Sequence, residues 1–216
     1  MCTRFYIEKE NAELQDIMEA ARRSALTMRF LKKMAKPLLT SGEIRPTDLV
    51  PVIASNQKGK RSVFPMKWGF SLPKSSSPVV NARSETAFQK PLFKDHWKTH
   101  RCIVPASWYY EWEHFTTSSG KTKTGRKHLI QPAGASITYL CGLYRFEDGL
   151  PVFTILTREP GEELKEIHDR MPLILPGDIT GDWINVNANP EGLLSLSLKD
   201  MVLEPADTGA SEEKLI

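Results

Sequence analysis

Two periods of apolar and polar positions run along the chain. From Thr3 to Glu8, TRFYIE alternates and is rich in β-formers, which predicts a short strand that would hold Cys2 in a fixed place. NAELQDIMEAARRSALTMRFLKKMAK then carries apolar residues at helical spacing and stops before Pro37. The pattern predicts one amphipathic helix over much of 12–35, basic at its end. GEIRPTDLVPVIAS joins two prolines to a β-branched run and predicts a turn, then a strand entering near Val50. Short β-like segments follow: SVFPMKWGFS, RCIVPASWYYEWEHF, KHLIQPA, SITYLCGLYRF and VFTILTRE. The polar stretch 116–125 reads as an exposed hairpin loop and 73–78 as another loop. PGEELKEIHD and NPEGLLSLSL each predict a short helix, and ADTGASEEKLI a frayed polar end.

Many strands with few helices, without regular alternation of the two, predict an α+β class. The expected architecture is a single domain over 1–205, built on a folded, barrel-like, mainly antiparallel sheet flanked by a few helices, with 206–216 as a tail. No GxGxxG or GxxxxGK[ST] is present, which argues against a nucleotide-binding doubly wound sheet. A length of 216 residues and a 40% hydrophobic content suit one substantial core, and no internal repeat is visible. No apolar run is long enough to span a membrane, and the N-terminal stretch turns charged by Glu8 instead of forming a secretion signal. The expectation is a soluble cytoplasmic protein, nucleoid-associated in a bacterium or nuclear in a eukaryote, with no membrane partner. Three widely spaced cysteines, Cys2, Cys102 and Cys141, without a CxxC, argue against a disulfide framework and a zinc site. Neither cofactor nor metal is expected.

The net charge of +3 hides an asymmetry. Residues 58–101 hold ten Lys/Arg against Glu85 and Asp95, and residues 22–45 hold seven against Glu43. From 158 onward five basic residues face thirteen acidic ones. A basic face attracts polyanions, and the interleaved Phe64, Trp68, Phe70, Phe88, Phe93 and Trp97 offer rings to unpaired bases, unless they are simply core.

Reactive or polar groups stand in four places where composition does not require them. Cys2 is a lone cysteine unless loss of Met1 gives it a free amine beside its thiol. In VVNARSET, Asn81 suits hydrogen bonding to a reacting carbonyl or imine and Arg83 a bidentate phosphate clamp; the alternative is a polar loop with an Asn turn. In WYYEW, Glu111 among aromatics suits general acid/base work at a raised pKa, or faces water from an ordinary strand. In IHDRMP, His168 stands at the end of a short helix beside Asp169 and Arg170, as a reactive group or as a cap. Cys, Asn, Arg, Glu and His together suit a covalent reaction at a phosphate-flanked carbon.

With these residues in view, the chain resembles the SRAP family, named for SOS response-associated peptidases and understood as sensors that cross-link to abasic sites in single-stranded DNA. MCTRF is similar to the family's MCGRF, with Thr3 in place of glycine, and MKWGF is similar to its MRWGL. RPTDLVPVI, NARSET, CIVPASWYYEW, CGLY, FTILT and IHDRMPLIL resemble the remaining blocks in the same order, from Cys2 to about Pro176. The resemblance implies a basic groove for single-stranded DNA and a nucleophilic Cys2 exposed by removal of Met1. It implies that Asn81 orients the sugar or imine, that Glu111 relays protons and that His168 assists sugar opening. Arg4 and Arg83 would hold flanking phosphates, Trp68 and Trp112 would stack or wedge at the damage, and Pro46 would shape the groove. The aldehyde of an open abasic sugar would meet the α-amine, whose ordinary pKa is about 7.7–8.0, and the thiol would then close a thiazolidine.

Two other readings stay open on the sequence. One is a cysteine peptidase or N-terminal-nucleophile hydrolase, at minimum one that removes Met1. The other is a noncovalent module for single-stranded or modified DNA.

Overall fold

The computed structural model describes residues 2–116 and 120–206. The tip of the expected hairpin loop at 117–119, the expected tail from 207 onward and Met1 lie outside the described residues.

The alternating start forms β1 (Arg4–Ile7). The long helical stretch forms two helices rather than the one expected: α1 (Ala12–Arg22) and α2 (Ala25–Met34). The break lies at Ser24, whose side chain caps α2 by accepting from the backbone N–H of Leu26. A hydroxyl that competes for helix donors favours a new start over continuation. The chain continues through β2 (Gly42–Ile44), β3 (Leu49–Ser55), β4 (Arg61–Trp68), β5 (Asn81–Arg83), α3 (Ser84–Ala87) and α4 (Lys94–Thr99). RCIVPASWYYEWEHF divides into β6 (Arg101–Ala106) and β7 (Trp108–Thr116). The next strands are β8 (Thr122–Pro132), β9 (Thr138–Glu147) and β10 (Leu150–Arg158). PGEELKEIHD keeps only a 3-10 turn over Glu162–Leu164, before β11 (Met171–Pro172) and β12 (Ile174–Leu175). α5 (Thr180–Ile184), α6 (Pro190–Leu194) and β13 (Met201–Pro205) complete the described chain.

β10, β4, β3, β6 and β9 pair in that order, and β9 pairs again with β10, so five strands close into a barrel. All joins are antiparallel except β10 with β4. Alternate residues of the same strands feed different apolar clusters. Val50, Val52, Ala54, Cys102, Val104, Phe153 and Ile155 enter one, and Ile53, Ile103, Val152 and Leu156 the other. This is the two-residue period of a strand buried on both faces. Gly142 permits the closure, because a Cβ there would stand 2.7 Å from the Thr154 carbonyl oxygen of β10.

The second sheet has the order β13-β8-β7-β1-β2. Its Phe5, Ile7, Tyr109, Ile130 and Met201 join the first cluster together with Leu14 and Met18 of α1, which ties the two sheets together. No helix among the described residues is long and apolar enough to cross a membrane. All three cysteines are free and buried.

Candidate functional site

β1 is paired on both edges, with β2 through Phe5↔Ile44 and with β7 through Arg4↔Tyr110. This clamps the residues just before it, and Glu111 is the next residue of β7 along that register. Cys2 is fully buried, with its Sγ 3.6 Å from the Arg4 carbonyl oxygen. Asn81 opens β5, which is fixed beside β10 by the pair Ile155↔Asn81. Its Nδ2–H donates to the Cys2 carbonyl at 2.8 Å, while its Oδ1 is buried with no hydrogen-bond partner among the described residues. Because a carbonyl only accepts, this contact fixes the orientation of the amide. His168 follows the 3-10 turn, where its N–H bonds to the Leu164 carbonyl. Its Nε2 lies 3.8 Å from Glu111 Oε1, and its Nδ1 lies 2.7 Å from Asp169 Oδ1 and 3.0 Å from the backbone N of Arg170. The four residues Cys2, Asn81, Glu111 and His168 thus gather from both sheets and a turn.

Burial governs their protonation. It pushes the Cys2 thiol far up, and the nearby Glu111 charge adds to the effect, so the sulfur is a thiol and not a thiolate near neutrality. Burial also raises Glu111, which makes its carboxylate a better base, and lowers His168, which keeps its imidazole neutral.

The strands that position this centre also carry a set of cations. Arg4 and Lys127 both pair with Glu43, and Arg45 joins them at 3.0 Å. Lys127 Nζ stands 3.7 Å from the Tyr110 ring centroid, and both Lys127 and the Arg4 guanidinium lie 5.4 Å from that of Trp112. Trp112 is therefore a half-buried ring with cations against it. Arg83 is exposed two residues from Asn81, on the same side of β5. Pro46 is half-buried beside Thr47, a β-branched residue at φ +75° whose N–H is held by the Trp68 carbonyl. Thr3 is not among the non-glycine residues with positive φ, so its backbone does not require the glycine that the family motif carries.

Trp68 corrects the sequence reading. It is fully buried, stacked 6.0 Å from Phe153 and tilted 5.3 Å from Phe5, with its Nε1–H donating to the Val80 carbonyl. Both ring faces are packed, so it offers none to a base. Of the aromatics that interleave the basic run, Phe70, Phe93 and Trp97 are also core, and Phe88 is exposed. The sequence reading missed Glu43 and Lys127, which only the β1–β2 and β7–β8 pairings bring to Arg4 and Trp112. It also missed the support that Arg170 gives: its side chain bonds Glu85 and the Thr157 carbonyl while its N–H meets His168.

Two cavities, of about 670 and 780 Å³, share no residue with the Cys2 centre.

The fold is similar to that of a crystal structure of a protein from Bacteroides thetaiotaomicron, with a TM-score of 0.71 at 21% identity over 96% of this chain and 93% of the other. In sequence, the chain is 36% identical over 156 residues to the abasic site processing protein YoaM of Bacillus subtilis, which covers 67% of this chain and 64% of that protein. It is 33% identical over 170 residues to the abasic site processing protein YoqW of the same organism, over 74% of this chain and 69% of the other. The chain thus spans a little less than two thirds of YoaM. The family model described as SOS response associated peptidase (SRAP) matches residues 1–208, so that Cys2, Asn81, Glu111 and His168 all fall within it and the chain belongs to the SRAP family.

Proposed function

We propose that this protein acts on abasic sites in single-stranded DNA and becomes covalently joined to them through Cys2 once Met1 has been removed. The observation that carries the reading is the Asn81 contact. Its amide N–H holds the Cys2 carbonyl, and its buried Oδ1 awaits a donor, a deficit of about 1–3 kcal/mol that a sugar hydroxyl or a protonated imine would relieve.

The neutral α-amine of Cys2 adds to the sugar aldehyde and water leaves, giving an imine. The thiol then adds to the imine carbon, its proton ends on nitrogen, and a thiazolidine forms. Glu111, with its raised pKa, carries protons between thiol, nitrogen and the departing oxygen, and His168 assists opening of the sugar. Arg4 and Arg83 hold the flanking phosphates, Trp112 stacks near the damage, and Pro46 shapes the groove. A protonated, buried thiol suits this order, with the amine attacking first. It suits a cysteine peptidase poorly, because that chemistry begins with a thiolate.

The test is a denaturing gel with processed protein and an oligonucleotide bearing one abasic site. The expected result is a heat-stable shifted band on abasic single strands, absent with undamaged DNA, with Cys2→Ala and with protein that retains Met1 or a tag. No adduct with correctly processed protein overturns the reading. Cleavage of a peptide in trans would favour the hydrolase, and a salt-sensitive shift that does not survive detergent the noncovalent module.

A further inference from the structure

Beside the residues of the proposed reaction stands a group with no part in it. His114 lies on β7 three residues beyond Glu111, where a regular strand would turn it to the opposite face. The β7–β8 register shifts between Trp112 and His114, and such an irregularity bends and twists a strand. The result is that the His114 ring meets His168 edge to face, with centroids 5.4 Å apart at 79°. Glu111, His114 and His168 each present a ligand atom within 4.8 Å of the others.

We propose that Glu111, His114 and His168 form a binding site for a divalent transition-metal ion of the zinc class, and that occupancy shuts off the chemistry at Cys2. Two imidazoles and one carboxylate are a donor set that takes Zn²⁺ with a fourth position left for water. Metal–ligand bonds of about 2.0–2.1 Å place tetrahedral ligand atoms roughly 3.4 Å apart. The Glu111 and His168 atoms, at 3.8 Å, are already near that spacing. His114 is exposed and has room to close the rest, and it gives an ion a way in from solvent. An ion held here would take up the lone pairs of Glu111 and His168 that proton transfer requires, so the inhibitory half of the proposal rests on the function proposed above.

The test separates the two. Co²⁺ is titrated into full-length processed protein, read by visible absorption and by equilibrium dialysis, with Zn²⁺ as competitor. The expected result is one ion per chain, bound at least about tenfold more weakly by His114→Ala and equally well by Cys2→Ala. Adduct formation should fall when Zn²⁺ is added to the wild type and return with EDTA, whereas His114→Ala should form adduct with or without Zn²⁺. Absence of saturable binding overturns the site. So does binding that survives His114→Ala or vanishes in Cys2→Ala, which would place the ion on the N-terminal aminothiol. Saturable binding at the site without inhibition overturns the regulatory half. If no adduct forms under any condition, the proposed function fails while the binding measurements still decide the metal site.

Discussion

The barrel and the five-stranded sheet beside it are held in different ways. β3, β6 and β10 are buried along nearly their whole length on both faces, and most of their side chains are apolar and enter the two clusters. The sheet that carries β1, β2, β7 and β8 is apolar on the side toward the barrel, but it also carries Arg4, Glu43 and Lys127, joined by Arg45 just beyond β2, and Glu111 and His114, which meet His168 of the turn after β10. One region stores stability in packing. The other holds charged and titratable groups between two strands that fix the start of the chain, and reactive chemistry needs such groups at defined positions more than it needs burial.

The largest effect is expected at Trp68. Trp68→Ala should cost about 3–5 kcal/mol in denaturant unfolding, because it empties a site packed by Phe5 and Phe153. Trp68→Phe should lose part of that and still form adduct at the wild-type level, since the indole faces core and not DNA. A severe loss of adduct from a stably folded Trp68→Phe would restore it to the binding surface.

Glu111→Gln should leave the barrel intact and slow adduct formation by about a hundredfold, or roughly 2.7 kcal/mol. Its pH dependence carries a sign. In the proposed reaction the carboxylate acts as a base, so the wild-type rate should fall as pH drops through the raised Glu111 pKa, and the variant should lack that limb. Asn81→Ala should slow the reaction about tenfold, and Asn81→Asp by a similar amount, because a carboxylate cannot donate to the Cys2 carbonyl. Single-turnover adduct rates beside melting temperatures separate this from a loss of fold.

The smallest effect belongs to Glu43. Partial burial raises its pKa, but hydrogen bonds and charge from Lys127 and Arg4 outweigh that and hold it at about 2, below the ordinary 4.5. The stability it contributes is full above 4.5 and is lost as pH falls toward 2. Glu43→Gln should therefore cost about 1 kcal/mol in urea unfolding near pH 7, and the difference should shrink toward zero as the pH approaches 2.

Much of the barrel was legible because its strands are short β-branched runs bounded by Pro, Gly and polar turns, and those local signals survive in the folded chain. The helix over 12–35 was misread at one place, where the cap formed by Ser24 competes with a periodicity that runs through it. Trp68 was misread for another reason. An aromatic in a basic run has the same letters whether it faces the core or a nucleic acid, and only strand pairing and the packing of Phe5 and Phe153 tell them apart.

The α+β class and most strand positions can be read from the chain alone, because propensity, period and residue type are local properties. Long-range packing is what brings the Asn81 amide to the Cys2 carbonyl across 79 positions, gathers cations from β1 and β8 on Glu43, and turns His114 toward His168. These contacts depend on register and strand twist, which arise when both sheets close on a shared core and are written in no single segment of the chain.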